Sequence, residues 1–278
     1  VADSQALTLT VLGSAGAYRT HDGSRASGYV VQHGSTSLVL DLGHGTYAPL
    51  AAQLGVGGLP QLSAVAISHL HPDHWVDLAA LRHALVHGNK MGGDARSVPV
   101  IAPEGLAARL ATLLDDRTPE EQAAGAHSPV QPFAISTWRT DASLPPLGVG
   151  RSISFGDLTI QSARVRHTGE SYAIRAAIGD QPGVTYSGDV SHWQDLAAIA
   201  QPGDTLLCEA AGGAAEWREG DTHLTAFGAG KAATASRVAR LLLTHFGAEV
   251  DPAEAARAAA TEFSGEIVSV REGDRFEI

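Results

Sequence analysis

Ser68-His69-Leu70-His71-Pro72-Asp73-His74 places three imidazoles and a carboxylate within six positions, directly after the apolar run Ala64-Val65-Ala66-Ile67. A short apolar run bounded by polar residues reads as a buried strand. A histidine-rich turn at a strand end can aim several nitrogen and oxygen donors at one point, and zinc, iron and manganese accept such ligands. Pro72 fixes one backbone angle of the turn and removes an amide donor, which stiffens it. The chain has 13 histidines, and an isolated one reads as a solvated side chain. This spacing reads as a ligand set.

Around that turn, β-like runs alternate with helical stretches. The strands expected are Leu7–Leu12, Gly28–Gln32, Ser37–Asp41, Ala64–Ser68, Val98–Ala102, Leu158–Val165, Tyr172–Ile178, Gly183–Tyr186, Thr205–Cys208 and Arg240–Leu243, most of them punctuated by Gly, Pro, Asp or Ser. Helices are expected over Tyr47–Leu54, Val76–His87, Glu104–Leu114, Trp193–Ala200, Thr225–Ser236 and Ala253–Glu262. The last has the best-formed start: Asp251 can cap, Pro252 suits the first helical position and Glu254 follows the cap by three. Thr118-Pro119-Glu120-Glu121 makes a weaker case of the same kind. The stretch from Asp115 to Gly150 reads as a long surface connection near the site, inside a single domain spanning residues 1–278. The alternation suggests two similar βα halves packed as layers.

Charge narrows the functions open to such a chain. With 30 acidic against 19 basic residues the net charge is −11, and the two lysines, Lys90 and Lys231, stand far apart. Without a basic stripe the chain is poorly suited to grip a phosphate polymer, so nucleic acid is an unlikely partner. The single Cys208 rules out an internal disulfide framework. No run approaches the roughly 18 apolar residues of a membrane span, and the N-terminus carries no signal-peptide pattern. A soluble cytoplasmic protein with no membrane partner is the default expectation.

Three later donors each stand just after a β-like run: His167 after Leu158–Val165, Asp189 after Gly183–Tyr186 and His245 after Arg240–Leu243. Strand ends at one sheet edge can converge on a common pocket. With Asp41-Leu42-Gly43 one strand before the turn, Leu206-Leu207-Cys208-Glu209-Ala210, and His223-Leu224-Thr225 opening a helix, the pattern resembles the metallo-β-lactamase fold hydrolases, in particular their RNase Z-like branch. The likeness runs from Val11-Leu12-Gly13-Ser14 to His245.

That resemblance implies an α+β fold, an αββα sandwich of two mixed β-sheets covered by helices. It implies a dinuclear centre with one divalent ion on His69, His71 and His167, a second on Asp73, His74 and His245, and Asp189 between them, with Asp41 supporting from beneath. Zinc is the first expectation for both ions, manganese or iron the alternatives. Two such ions would hold a bridging hydroxide as nucleophile, oriented by Asp73 and Asp189. His223, polarised by Glu209, would protonate the leaving group, since a sugar alkoxide leaves poorly without a proton donor. Ser27, Tyr29, Ser171 and Tyr172 are the residues expected to touch substrate.

RNase Z enzymes commonly carry a tRNA-holding arm between the equivalents of His167 and Asp189, and here a strand pair and a turn fill that interval. The chain therefore resembles the compact phosphodiesterases of the branch, including actinobacterial-type cyclic-nucleotide phosphodiesterases. The leading expectation is a metal-dependent hydrolase cleaving a small or cyclic phosphodiester, a 3′,5′-cyclic nucleotide first. The alternatives are an acyl substrate (lactone, thioester or β-lactam) or tRNA 3′-end cleavage. Relatives are often dimers, which leaves a homodimer open. Asp77, Val190 and His44 depart from the branch pattern. His44 and His192 read first as polar loop residues, His83 and His87 as a solvated helix face, while His21, His33 and His127 have no context.

Overall fold

A computed structural model of the chain describes residues 6–17, 23–55, 57–87, 97–115, 117–124, 128–138 and 148–278. His21 and His127 lie outside them. The first half supplies β1 (Thr8–Gly13), β2 (Gly28–His33), β3 (Thr36–Leu42), α1 (Tyr47–Leu54), β4 (Ala64–Ala66), α2 (Leu78–His87), β5 (Val98–Ala102), α3 (Leu106–Leu114), α4 (Pro119–Ala123) and β6 (Phe133–Thr137). The second half supplies β7 (Gly148–Phe155), β8 (Leu158–Val165), β9 (Ser171–Ile178), β10 (Val184–Tyr186), β11 (Thr205–Glu209), α5 (Ala226–Ser236), β12 (Arg240–Thr244), α6 (Pro252–Ala259), β13 (Glu266–Ser269) and β14 (Arg275–Glu277).

These strands build two seven-stranded sheets, ordered β14-β1-β2-β3-β4-β5-β6 and β13-β12-β11-β10-β9-β8-β7. Each is antiparallel at first and parallel later in its own half. In the first sheet β1 to β3 are antiparallel and β3 to β6 parallel. In the second, β7 to β10 are antiparallel and β10 to β13 parallel.

Period-two alternation divides the apolar side chains among three layers. Leu38 and Leu40, with Leu207 and Leu242 from the other sheet, fill the space between the sheets. Val39, Val65 and Val100 face α1 to α3, while Leu206, Cys208, Leu241 and Leu243 face α5 and α6. Helices, sheet, sheet, helices is the layered sandwich anticipated above.

Several elements differ from expectation. The Asp115–Gly150 stretch is not a plain surface connection: it contributes α4, the edge strand β6, and the start of β7. Trp138 within it is fully buried and donates its indole N–H to the Ile67 carbonyl at 2.7 Å, bracing the ligand turn from behind. The C-terminal stretch, where no strand was expected, forms β13 and β14, and β14 pairs with β1. Trp193–Ala198 is a 3₁₀ helix. Thr118 and Glu121 form a complete capping box, whereas Asp251 caps α6 through the Ala253 amide alone.

Candidate metal centre

β8 and β10 both run antiparallel to β9, and β10, β11 and β12 are parallel. The carboxyl ends of β8, β10, β11 and β12 therefore point to one edge, and there the chain places His167, Asp189, Glu209 and His245. Across the cleft, β3 ends in Asp41 and β4 leads into the Ser68–His74 turn. Both sheets thus present side chains at a shared seam.

Two close approaches make the seam possible. A Cβ on Gly43 would lie 1.9 Å from the Asp73 carbonyl oxygen, so only glycine lets the ligand turn rest on β3. Gly188, at φ +56°, takes the left-handed conformation just before Asp189, close to the Tyr172 carbonyl and the Ser68 side chain. Asp41 (φ 55°) and His245 (φ 53°) adopt the same left-handed backbone without being glycine, a strained state typical of functional positions.

The structure brings together all seven expected ligands. His69, His71, His167 and Asp189 offer donor atoms within 4.8 Å of one another, as do Asp73, His74 and His245. Asp189 Oδ2 lies 3.5 Å from His69 Nε2, 3.4 Å from His74 Nε2, 3.8 Å from His167 Nε2 and 3.4 Å from His245 Nε2. These separations are long for strong hydrogen bonds. His74 Nε2 and Asp189 Oδ1 are buried with no hydrogen-bond partner.

The opposite nitrogen of every imidazole is held from outside. Asp41 Oδ2 lies 2.7 Å from His74 Nδ1, and Ser27 Oγ 2.8 Å from His245 Nδ1. The Thr222 carbonyl is 2.7 Å from His167 Nδ1, Ser68 Oγ 3.1 Å from His69 Nδ1, and Thr168 Oγ1 3.0 Å from His71 Nε2. This fixes which nitrogen each ring turns inward: Nε2 for four of them and Nδ1 for His71. Asp41 also accepts from the Ser68 amide and hydroxyl and from the Tyr186 hydroxyl, each at 2.7 Å. Inward lone pairs, carboxylate oxygens and unpartnered buried atoms fit divalent cations.

Without cations the imidazoles compete for little negative charge. Burial holds His69 and His71 below the ordinary histidine value. Burial acts the same way on His74, but Asp189 and Asp41 outweigh it and hold that ring well above the ordinary value. Asp189 is held well below the carboxylate range by His245, His74 and His69 against the opposing effect of burial.

Beside this set stands a second pair. Glu209 is fully buried, accepts from the Val190 amide at 2.8 Å, and lies 3.1 and 3.2 Å from His223 Nδ1. His223 is 32% exposed, with Nδ1 3.7 Å from Asp189 Oδ2. Burial alone would lower its pKa, but the Glu209 carboxylate outweighs that and holds it up at about 9. His223 lines a cleft of about 570 Å³ together with His44, Asp73, Asp189, His245 and Gly16.

The four residues expected to touch substrate do not reach this cleft. Ser27, Tyr29 and Ser171 are fully buried and Tyr172 is buried as well. Ser27 holds His245, the Tyr29 hydroxyl meets Thr244 Oγ1 at 2.6 Å, and Ser171 donates to the Asp189 carbonyl at 2.9 Å. Tyr172 donates to Glu170 at 2.6 Å. They brace the site from behind, so their assignment as substrate contacts is corrected. Two departures from the branch pattern are explained: Asp77 accepts the Tyr47 amide at the start of α1, and Val190 offers only its backbone, to Glu209. Thr168 and Thr222, which orient two imidazoles, were missed. Thr168 directly follows His167 and Thr222 directly precedes His223, the only signal either carries.

The sequence matches the beta-lactamase superfamily domain over residues 38–246. The chain belongs to the beta-lactamase superfamily. Among curated proteins it is 30% identical to the uncharacterized protein ML1173 of Mycobacterium leprae, over 97% of this chain and 88% of that one. It is 25% identical to the probable metallo-hydrolase YhfI of Bacillus subtilis, over 96% of this chain and 98% of that one. The YhfI crystal structure superposes with a TM-score of 0.81 at 23% identity, covering 98% of this chain and all of the other (100%). Human tRNase Z, short form, shares the fold with a TM-score of 0.70 at 18% identity, over 98% and 99% of the two chains. At that identity the likeness to tRNase Z is one of fold.

Proposed function

We propose that the chain is a dinuclear metal-dependent phosphodiesterase acting on a small or cyclic phosphodiester, with a 3′,5′-cyclic nucleotide as the favoured substrate. The observation that carries this reading is the imidazole of His223, tied to buried Glu209 and exposed to the same cleft as Asp73 and Asp189. An alkoxide leaving group needs a proton donor at that place; a thiolate or a strained amide needs one less.

In this reading His69, His71 and His167 would hold one divalent ion and Asp73, His74 and His245 the other, with Asp189 within reach of both sets. When bound, such ions make a nucleophile available at neutral pH by lowering the pKa of water, and they offset charge on the attacked phosphorus oxygens. Asp73 and Asp189 orient the attacking water. Water forms a new P–O bond as one P–O ester bond breaks, and the expelled oxygen takes its proton from His223. The water gives its proton to Asp73 or Asp189, and that proton passes to solvent, from which His223 is recharged. Glu209 keeps Nδ1 of that ring occupied, so Nε2 is the nitrogen that meets the leaving group. Ser68, Thr168, Thr222, Ser27 and Asp41 hold the five ligand rings in place during turnover.

The small size of the cleft and the charge of −11 favour a compact substrate over tRNA. The test is a turnover panel on the metal-loaded protein: methyl 4-nitrophenyl phosphate, cyclic AMP, a lactone and a cephalosporin. Hydrolysis of the diesters with no acyl turnover is expected. Lactone or cephalosporin turnover without diesterase activity would overturn the reading.

A further inference from the structure

A recess of about 470 Å³ lies beside the segment that carries His223 and takes no part in the chemistry above. Trp193, Trp217 and Phe227 line it, together with His192 and the ion pair of Lys231 and Glu262 at 3.9 Å. Trp217 is 40% exposed, one of three large apolar side chains left so among the described residues, and its ring meets His192 edge-on at 5.3 Å. An indole held at the lip of an aromatic recess keeps a large flat face available to a ligand.

Both walls are tied to the metal centre. His192 Nδ1 lies 2.7 Å from Ser191 Oγ, and Ser191 donates through its amide and hydroxyl to the carbonyl of Arg166, the neighbour of His167. Trp217 sits on the segment between Ala211 and Leu224, whose ends are joined by Gly212 N–H to the Leu224 carbonyl at 2.9 Å and Ala226 N–H to the Gly213 carbonyl at 2.8 Å. The same segment presents the Thr222 carbonyl to His167 and His223 to Glu209. Glu216 and Thr225 border both this recess and a neighbouring one, and the neighbour shares Ala211 and His223 with the catalytic cleft. His223 thus borders both the catalytic cleft and the space that adjoins the recess.

A proton donor touches the leaving oxygen, so the rest of the leaving group extends past that donor. Here the recess with its three aromatic side chains adjoins the space that His223 borders. Aromatic walls stack on planar rings, and Lys231 with Glu262 offers a donor and an acceptor to ring-edge groups.

We propose that this recess binds the planar heterocyclic base of the nucleotide whose ester oxygen leaves phosphorus, stacked on Trp217. The inference rests on the phosphodiesterase reading and names the part of the substrate that gives it specificity.

Two measurements on the metal-loaded protein test it. Adenosine, which has no phosphate to draw it to the metals, should quench tryptophan fluorescence saturably, and Trp217→Ala should weaken that binding about tenfold or more, with Trp217→Phe retaining most of it. The ratio of kcat/KM for cyclic AMP to that for methyl 4-nitrophenyl phosphate should fall by a similar factor, about tenfold, in Trp217→Ala and in Phe227→Ala. Diester turnover with no saturable adenosine quenching, or with the ratio unchanged in both variants, overturns the base pocket and leaves the phosphodiesterase standing. Saturable quenching by choline in place of adenosine also overturns it. If wild type turns over neither diester, both readings fall together.

Discussion

Glu209 and His223 divide one task between a fully buried carboxylate and an imidazole that is 32% exposed. Replacing His223 with Ala should lower kcat on cyclic AMP by about 10²–10⁴ while sparing a 4-nitrophenyl ester far more, because a good leaving group needs no proton; steady-state rates on the two substrates check this. The Glu209 charge is what keeps the ring protonated. In metal-free protein the His223 resonances should titrate near 9, and Glu209→Gln should move that midpoint downward by removing the charge that raises it; NMR titration reads both. At this scale the His69–His74 turn was plain in the sequence because its donors share one short stretch of backbone. Ser27, Tyr29, Ser171 and Tyr172 were misread because sequence gives a side chain's type and not the direction it faces. All four hold ligands or strands in place from inside the protein.

Elements place the ligands, and the least conspicuous residue in that placement is Gly43. Gly43→Ala would set a methyl group 1.9 Å from the Asp73 carbonyl oxygen, a backbone atom that cannot swing aside. The ligand turn must then lift from β3, at a cost on the order of 1–3 kcal/mol by the usual penalty for overpacking. A lower melting temperature together with lost metal content, by calorimetry and elemental analysis, is the expected outcome. Strands were legible where apolar runs met turn residues: β5 and β8 have the predicted bounds. β6, β7, β13 and β14 escaped because their residues are mostly polar or small and all four lie at a sheet edge, where one side chain in two has no core to fill. The capping box at Thr118 formed while the stronger-looking one at Asp251 did not, since Glu254 there is within 3.8 Å of Arg257 instead of reaching back.

For the molecule as a whole, the donors divide between the two sheets. His69, His71, Asp73 and His74 follow β4, while His167, Asp189 and His245 follow β8, β10 and β12. Cations bound at the seam would join layers otherwise held by the apolar side chains between them, such as Leu40 and Leu207. Ligand binding to the folded state alone stabilises it by mass action, so removing metal with a chelator should lower the melting temperature by on the order of 10 °C at roughly 2–4 °C per kcal/mol; scanning calorimetry with and without added zinc measures it. The layered architecture could be read from the alternation of strands and helices, but the return of β14 to β1 could not, because three residues leave no periodic trace.

That division has a consequence for how the chain acquires its ions. Neither of the two expected donor sets is complete on one sheet, so a half-assembled molecule offers a passing zinc at most the Asp189, His223 and His245 group of the second sheet. Uptake would then come after the two layers have docked, and loading would serve as a report that docking is complete.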